Sequence, residues 1–129
     1  MRAQPKYAVL IVEDEPLLRL DIAETLTTAG FQTFEAGTAL EAIKILEAHP
    51  EIRAVFTDIE MPGTMNGIQL AHLIRERWPP TILIVGSGIA LPTPDALPSQ
   101  TTFFPKPYAD GALGKIIQSI TDQLIINQQ

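Results

Sequence analysis

Short apolar runs alternate with amphipathic stretches along the chain. Ala8–Val12 (AVLIV) and Thr81–Val85 (TILIV) are continuously apolar and rich in β-branched residues. Runs of this kind indicate strands that are covered on both faces. Between them, apolar residues recur at helical spacing, as in Leu18, Ile22 and Leu26, which indicates helices that bury one face. The pattern therefore predicts alternating strands and helices.

The predicted elements follow the order β-α-β-α-β-α-β-β-α. The predicted strands are Ala8–Val12, Phe31–Ala36, Ala54–Thr57, Thr81–Val85 and Thr102–Phe104. The predicted helices are Pro16–Ala29, Thr38 to about Ala48, Ile68–Arg77 and about Asp110 to Ile126. Alternation of this kind predicts an α/β fold, in which helices cover both faces of one doubly wound parallel sheet.

The connection between the fourth and fifth predicted strands departs from the pattern. Ile89–Gln100 contains three prolines, and a proline inside a helix costs about 3 kcal/mol. We expect at most one helical turn there, for instance one that Thr93 caps over Pro94–Leu97. The fourth helix is therefore expected to be short or irregular.

Composition narrows the possible functions. The 129 residues, 46% of them hydrophobic, suit a single globular domain spanning residues 1–129. The absence of cysteine excludes disulfides and thiolate metal sites. A net charge of −6 makes nucleic-acid binding unfavourable, and the apolar runs are too short for a membrane span. We therefore expect a cytoplasmic protein that binds neither nucleic acid nor membrane.

Polar residues follow four of the five predicted strands. Glu13 and Asp14 follow the first, Asp58 the third, Ser87 the fourth and Lys106 the fifth. Ligands of open parallel sheets bind at the carboxyl ends of the strands. Taken singly, Asp14, Ser87 and Lys106 are better explained as a helix cap, a loop serine and a solvated lysine, and Asp58 is equally well explained as a turn residue. Their common position at one edge of the sheet favours a shared site.

These residue types suit phosphoryl transfer. Three converging carboxylates repel one another, so without a cation at least one should have a raised pKa. Mg²⁺ would relieve this repulsion, because it prefers oxygen ligands. Lys106 and Ser87 offer a positive charge and a hydroxyl donor to phosphoryl oxygens, and a carboxylate can attack phosphorus. The residues alone do not choose between Asp14 and Asp58 as the attacking group.

Four motifs together resemble the receiver domain of bacterial two-component response regulators. They are VLIVEDE, FTDIEMPG with the later NG, the serine after TILIV, and KPY. The resemblance extends from about Lys6 to Leu124. It implies a flavodoxin-like fold, a five-stranded sheet of order 2-1-3-4-5, and a signalling domain rather than an enzyme.

The resemblance also implies which residues accept phosphate and hold the metal. Asp58 would take a phosphoryl group from a phosphohistidine of a sensor histidine kinase or phosphotransfer protein. Asp14 and Asp58 would bind Mg²⁺ directly, while Glu60 would contribute its backbone carbonyl. Glu13 would act on the metal mainly through water.

The switch residues follow in the same way. Ser87 matches the hydroxyl that responds to phosphorylation, and Phe103 matches the switch aromatic residue. Lys106 matches the lysine that pairs with the phosphoryl group, and Pro107 would follow a cis peptide bond.

Three departures from the family pattern change the expected readout. Thr64 makes the loop after the acceptor one residue longer than usual. The reduced fourth helix alters the face that often binds partners, so we expect a monomer or weak dimer. No output domain is expected after the last helix, so the protein would bind a partner or pass phosphate on.

Two other functions remain open. One is a pseudo-receiver that binds a partner without phosphorylation. The other is a Mg²⁺-dependent phosphohydrolase of the haloacid dehalogenase kind, but that chemistry requires Asp-x-Asp, and Glu60 occupies the second position here.

Overall fold

A computed structural model describes residues 7–88, 95–108 and 111–127. Within them lie five strands and four helices, which alternate except that β5 is the next element after β4. They are β1 (Ala8–Val12), α1 (Pro16–Thr28), β2 (Gln32–Ala36), α2 (Ala39–Ala48), β3 (Ile52–Asp58), α3 (Gly67–Arg77), β4 (Ile82–Ser87), β5 (Thr101–Pro105) and α4 (Ala112–Asn127). All strand pairs are parallel and the order is β2-β1-β3-β4-β5. The predicted fold and strand order are confirmed.

The core lies on both faces of the sheet, which explains the continuously apolar strands. In β1, Val9 and Ile11 join α1 and α4 in one buried cluster. Leu10 and Val12 point the other way, into a cluster with α2 and α3. Successive side chains of a strand face opposite sides, so a strand covered twice needs apolar residues at every position.

The central strands are longer than predicted, and this moves the acidic residue of β3. The predicted strand Ala54–Thr57 extends to Ile52–Asp58, so Asp58 is the last residue of the strand rather than the first of the loop. Asp58 pairs with Gly86 of β4. In the same way β4 continues to Ser87, which pairs with Pro105 of β5. Hydrogen bonding to neighbouring strands makes β3 and β4 longer at their carboxyl ends, and the local hydrophobic pattern does not show this effect.

The connection between β4 and β5 contains no helix within its described part, residues 95–100, which form turns. The turn predicted over Pro94–Leu97, with Thr93 as its cap, lies partly outside the described residues, since residues 89–94 are not among them. Two side chains of α3 hold the described part. His72 Nε2 lies 2.8 Å from the carbonyl oxygen of Ala96, and Arg75 Nη2 lies 3.5 Å from that of Gln100.

Arg75 also secures the turn that leads from α3 into β4. Its Nη1 donates to the carbonyl oxygens of Pro79 and Thr81, each at 2.6 Å. A single guanidinium thus joins the start of β4 to the residue before β5. Among the described residues, no helix is long and apolar enough to cross a membrane.

Candidate functional site

Three carboxylates meet at the carboxyl end of the sheet. Val12 and Thr57 are partners in the ladder between β1 and β3, so the residues that follow them are neighbours in space. Each of Glu13, Asp14 and Asp58 offers a carboxylate oxygen, and these atoms all lie within 4.8 Å of one another. Glu13 and Asp58 are buried, whereas Asp14 is exposed. The structure thus brings together the three acids that the sequence singled out.

Lys106 lies between the two buried acids. Its Nζ is 3.0 Å from Glu13 Oε1 and 3.1 Å from Asp58 Oδ2. The lysine follows the edge strand β5, and its backbone N–H donates to the carbonyl oxygen of Ser87 at 2.7 Å. The peptide bond between Lys106 and Pro107 is cis, as the resemblance implied. Because Lys106 Nζ lies close to both buried acids, its ammonium group offsets part of their negative charge.

Burial is the main electrostatic effect on the two buried acids. It raises the pKa of Glu13, although the Glu15 N–H and Lys106 favour the charged form. Burial likewise raises the pKa of Asp58, against the hydrogen bond from Lys106. Burial alone would lower the pKa of Lys106, but its hydrogen bonds to the two acids hold that pKa above its usual value.

A raised carboxylate pKa was predicted, but for a different reason. Repulsion among the acids was expected to cause it, whereas removal from water is the larger cause for both Glu13 and Asp58. Repulsion from Asp58 contributes less than burial to the pKa of Glu13, and repulsion from Glu60 contributes less than burial to that of Asp58. The site therefore favours a ligand that both gives the carboxylates new polar contacts in place of water and neutralises their negative charge.

The side chain of Glu60 has a role that the sequence did not predict. Its Oε2 accepts a hydrogen bond of 2.6 Å from the Ser87 hydroxyl, and its Oε1 accepts one of 2.9 Å from the Gly88 N–H. Its own N–H lies 3.4 Å from Asp58 Oδ1. Only the backbone carbonyl of Glu60 had been assigned a role. An acidic residue two positions after Asp58, opposite a serine-glycine pair, was the available signal.

The Asn66-Gly67 pair holds the start of α3 against the site. Asn66 Oδ1 accepts from the Gln69 N–H at 2.9 Å, and Gln69 Oε1 accepts from the Asn66 N–H at the same distance, forming a capping box. A Cβ at Gly67 would collide with the carbonyl oxygen of Asp58. Glycine is therefore needed for α3 to approach the end of β3.

Tyr108 covers the other side of the strand ends. A Cβ at Gly86 would collide with the Tyr108 hydroxyl, and the Tyr108 ring meets Phe56 edge-on at a centroid distance of 5.8 Å. Burial raises the pKa of the Tyr108 hydroxyl. In the sequence Tyr108 is distinguished only as the last letter of KPY, because nothing local links it to Gly86.

The remaining predicted residue, Phe103, lies on β5 beside Val85. It is half-buried and packs against the core cluster on the α2 and α3 side of the sheet. Its role as a switch aromatic stays a prediction.

Arg19 is a contact residue of the site that the sequence did not predict. Its Nη1 donates to the Glu13 carbonyl oxygen at 2.9 Å, and its Nε pairs with Glu35 at 3.2 Å.

The sequence profile of the response regulator receiver domain matches residues 9–118. The chain belongs to this family. The profile begins in β1 and ends within α4, so it includes every strand and the whole acidic site.

Individual relatives agree with this assignment. The receiver is 39% identical over 83 residues to an NtrX-like response regulator of Rickettsia felis, covering 62% of this chain and 17% of that protein. It is 31% identical over 122 residues to the sensor kinase CckA of Brucella abortus, covering 89% of this chain and 12% of the kinase. The chain therefore spans less than a fifth of the length of either relative.

A solved structure shares the fold. The crystal structure of a response regulator receiver protein from Sinorhizobium medicae superposes with a TM-score of 0.70 at 28% identity, covering 88% of this chain and 95% of that one. The acidic cluster thus lies in a domain type that serves two-component signalling.

Proposed function

We propose that this receiver is a phosphoacceptor, and that Asp58 takes a phosphoryl group from a phosphohistidine on a sensor histidine kinase or phosphotransfer protein. The observation that carries the proposal is the position of Lys106 Nζ between Asp58 and Glu13, at 3.1 Å and 3.0 Å. An ammonium group there can stabilise negative charge that develops on a transferring phosphoryl group.

The surroundings of the acids favour Asp58 over Asp14 as the attacking residue. Asp58 is buried at the end of a central strand and is paired with Lys106, whereas Asp14 is exposed. A fixed, partly desolvated carboxylate beside a positive charge is held in one orientation for attack. The sequence alone had left this choice open except by resemblance.

The donor set fits Mg²⁺. The three clustered groups are all carboxylates, with ligand atoms within 4.8 Å of one another, and hard oxygen donors are those that Mg²⁺ prefers. Asp14 and Asp58 would bind the ion directly, with the backbone carbonyl of Glu60, and Glu13 would act mainly through water. When bound, Mg²⁺ would neutralise the carboxylates and withdraw charge from the phosphoryl oxygens.

In the proposed step, a carboxylate oxygen of Asp58 forms a bond to phosphorus while the bond from phosphorus to the donor's imidazole nitrogen breaks. The imidazole keeps the electron pair, and Asp58 becomes an acyl phosphate. Lys106 stays with the phosphoryl oxygens, and Ser87 offers them its hydroxyl. Because the receiver is itself modified, it acts as a signalling domain and not as an enzyme with turnover.

Phosphorylation would then change partner binding or allow phosphate to be passed on. The added group carries about two negative charges. Ser87 ends β4, the strand beside Asp58, and Phe103 lies on β5, one strand further out. We propose a cytoplasmic receiver with a protein partner.

The test uses a small phosphodonor, so that no kinase need be known. Wild-type protein incubated with acetyl phosphate and Mg²⁺ should gain the mass of one phosphoryl group, and chelation of the metal should prevent this. Borohydride reduction should convert the modified residue to homoserine at position 58. Asp58→Asn should stay unmodified, while the control Asp21→Asn, which alters an exposed acid of α1, should react normally.

Two outcomes would decide against the proposal. Homoserine at position 14 would make Asp14 the acceptor. A folded protein that is never modified, by acetyl phosphate or by a panel of histidine kinases, would favour the pseudo-receiver that binds partners without phosphorylation.

A further inference from the structure

The carboxylate of Glu60 engages two hydrogen-bond donors at once. The Ser87 hydroxyl donates to Oε2 at 2.6 Å and the Gly88 N–H donates to Oε1 at 2.9 Å. Both lengths are those of charge-assisted hydrogen bonds, which are stronger than neutral ones. The end of β4 and the residue after it therefore form a two-donor anion site, and the anion now in it belongs to the protein itself.

This anion site adjoins the proposed phosphoacceptor. Asp58 pairs with Gly86 of β4, the residue immediately before the two donors. The Glu60 N–H approaches Asp58 Oδ1 at 3.4 Å. An anionic group built onto Asp58 would therefore be formed beside donors that are already engaged.

We propose that Glu60 is an internal competitor of the phosphoryl group. In the unphosphorylated protein its carboxylate holds the Ser87 hydroxyl and the Gly88 N–H, and an acyl phosphate on Asp58 must displace it to gain the same donors. The inference rests on the proposed function, because it takes Asp58 as the site of phosphorylation.

The physical reason for displacement is charge. An acyl phosphate brings about two negative charges next to the Glu60 carboxylate, and like charges at close range repel each other. Glu60 is exposed, so its side chain can leave for water, whereas the phosphoryl group is covalently held. Phosphoryl and carboxylate oxygens are both strong acceptors, so the donors exchange one partner for another.

Competition has a measurable consequence. The Ser87 hydroxyl is already directed towards the site by Glu60, so phosphorylation replaces its acceptor instead of having to order the hydroxyl. Every phosphoryl-like ligand must first break two hydrogen bonds to Glu60. Glu60 therefore lowers the apparent affinity of the site for phosphoryl-like ligands, and so determines how readily phosphorylation changes the hydrogen bonds of Ser87 and Gly88.

The first experiment examines the contact without any phosphorylation. Exchange of the Gly88 amide proton with water is measured by NMR in the free protein. Glu60→Ala, which keeps the backbone carbonyl, should speed this exchange at least roughly tenfold, the factor expected for loss of one charge-assisted hydrogen bond. Glu60→Gln retains an acceptor oxygen and should lie between. The control Glu76→Ala, an exposed acid of α3, should match wild type.

The second experiment measures the competition. Beryllofluoride, a phosphoryl analogue, is titrated with Mg²⁺ into each variant. Glu60→Ala should bind it at least roughly tenfold more tightly than wild type, and Glu60→Gln should gain less. If Glu60 acted only through its negative charge, both variants would gain the same affinity for beryllofluoride. That result would overturn the competitor role.

The outcomes separate this inference from the proposed function. If Glu60→Ala and wild type bind beryllofluoride equally, Glu60 does not compete, although the phosphoacceptor role stands. If no variant with Asp58 intact binds beryllofluoride, the phosphoacceptor role fails and the competition fails with it, whatever the Gly88 amide shows. If Gly88 exchanges equally fast in wild type and Glu60→Ala, the contact itself is refuted.

Discussion

Replacing Asp58 by asparagine should stabilise the metal-free protein, although it removes the proposed phosphoacceptor. Asp58 is 4% exposed, and burial raises the pKa of its carboxyl group. The negative charge of Asp58 therefore lowers the stability of the folded state. Asparagine has nearly the same shape and no charge, so the change isolates the electrostatic contribution.

The size of the effect follows from the distances. Removal from water is the larger cost to the Asp58 charge, and repulsion adds to it. At an effective dielectric constant of about 20, repulsion from Glu13 and from Asp14 at up to 4.8 Å costs about 3 kcal/mol each. Attraction to Lys106 at 3.1 Å returns about 5 kcal/mol. The charge–charge terms leave a net cost of about 1–2 kcal/mol, and desolvation adds to it, so Asp58→Asn should raise the free energy of unfolding by at least about 1–2 kcal/mol at neutral pH.

The pH dependence has a definite sign. Because the pKa of Asp58 is raised in the folded state, the folded protein binds this proton more tightly than the unfolded chain does. The penalty is complete above the folded-state pKa and disappears as the pH falls to the ordinary value of 3.8. The advantage of Asp58→Asn over wild type should shrink over the same interval.

Urea denaturation with EDTA is the assay, and the fluorescence of Trp78, the sole tryptophan, reports unfolding. Asp21→Asn serves as the control for loss of an exposed acid. Adding Mg²⁺ at about one hundred times its dissociation constant should stabilise wild type by about 3 kcal/mol, and Asp58→Asn by much less. If Asp58→Asn is no more stable than wild type in EDTA at pH 7, the electrostatic reasoning is wrong.

Three further substitutions test how the site and its supports are held. Lys106→Met leaves Glu13 and Asp58 without a counter-charge and should lower the free energy of unfolding in urea by about 2–3 kcal/mol. Gly67→Ala puts a methyl group against the Asp58 carbonyl and should cost about 2 kcal/mol, seen as a melting temperature several degrees lower. Arg75→Met removes the donor to three backbone carbonyls and should cost about 1–3 kcal/mol in the same melt.

Each of these has a matched control. Lys115→Met removes an exposed lysine, and equal stability of the two lysine variants would contradict the bridging role of Lys106. Gly114→Ala adds a methyl group to α4 where nothing lies within 4 Å, so it should be neutral or stabilising. Arg77→Met breaks an exposed ion pair with Glu47 and a cation–π contact of 4.5 Å with the Trp78 ring, but no hydrogen bond to the described part of the β4–β5 connection. An Arg75→Met protein no less stable than Arg77→Met would refute the anchoring of the β4–β5 connection.

The strands and their shared site could be predicted because they depend on local pattern. Apolar residues at every position of β1 follow from its coverage on both faces. All strands of the sheet are parallel, so the residues that end them arrive at one edge, as Glu13 and Lys106 do. The errors lay at element boundaries, where Asp58 and Ser87 joined strands through pairing with their neighbours.

The contacts that define the electrostatics of the site could not be predicted. Ser87 and Glu60 are 27 positions apart and Lys106 and Glu13 are 93 apart. The hydrogen-bond or ion-pair partner of a side chain depends on distance and direction in the folded chain. The spacing of residues along the sequence encodes neither quantity. The acid two positions after Asp58 was a signal, but the motif alone did not establish that the Glu60 carboxylate would accept the hydrogen bond of the Ser87 hydroxyl.

By itself, then, the sequence determined the α/β class, the acids, the hydroxyl and the lysine, and the edge of the sheet where they meet. Only the tertiary structure decided that Asp58 and Glu13 are buried, that they share Lys106, and that Glu60 occupies the two donors at the end of β4. The physical reason is that periodicity and strand direction arise from short-range backbone geometry. Burial and hydrogen bonding instead depend on every element that packs around a group.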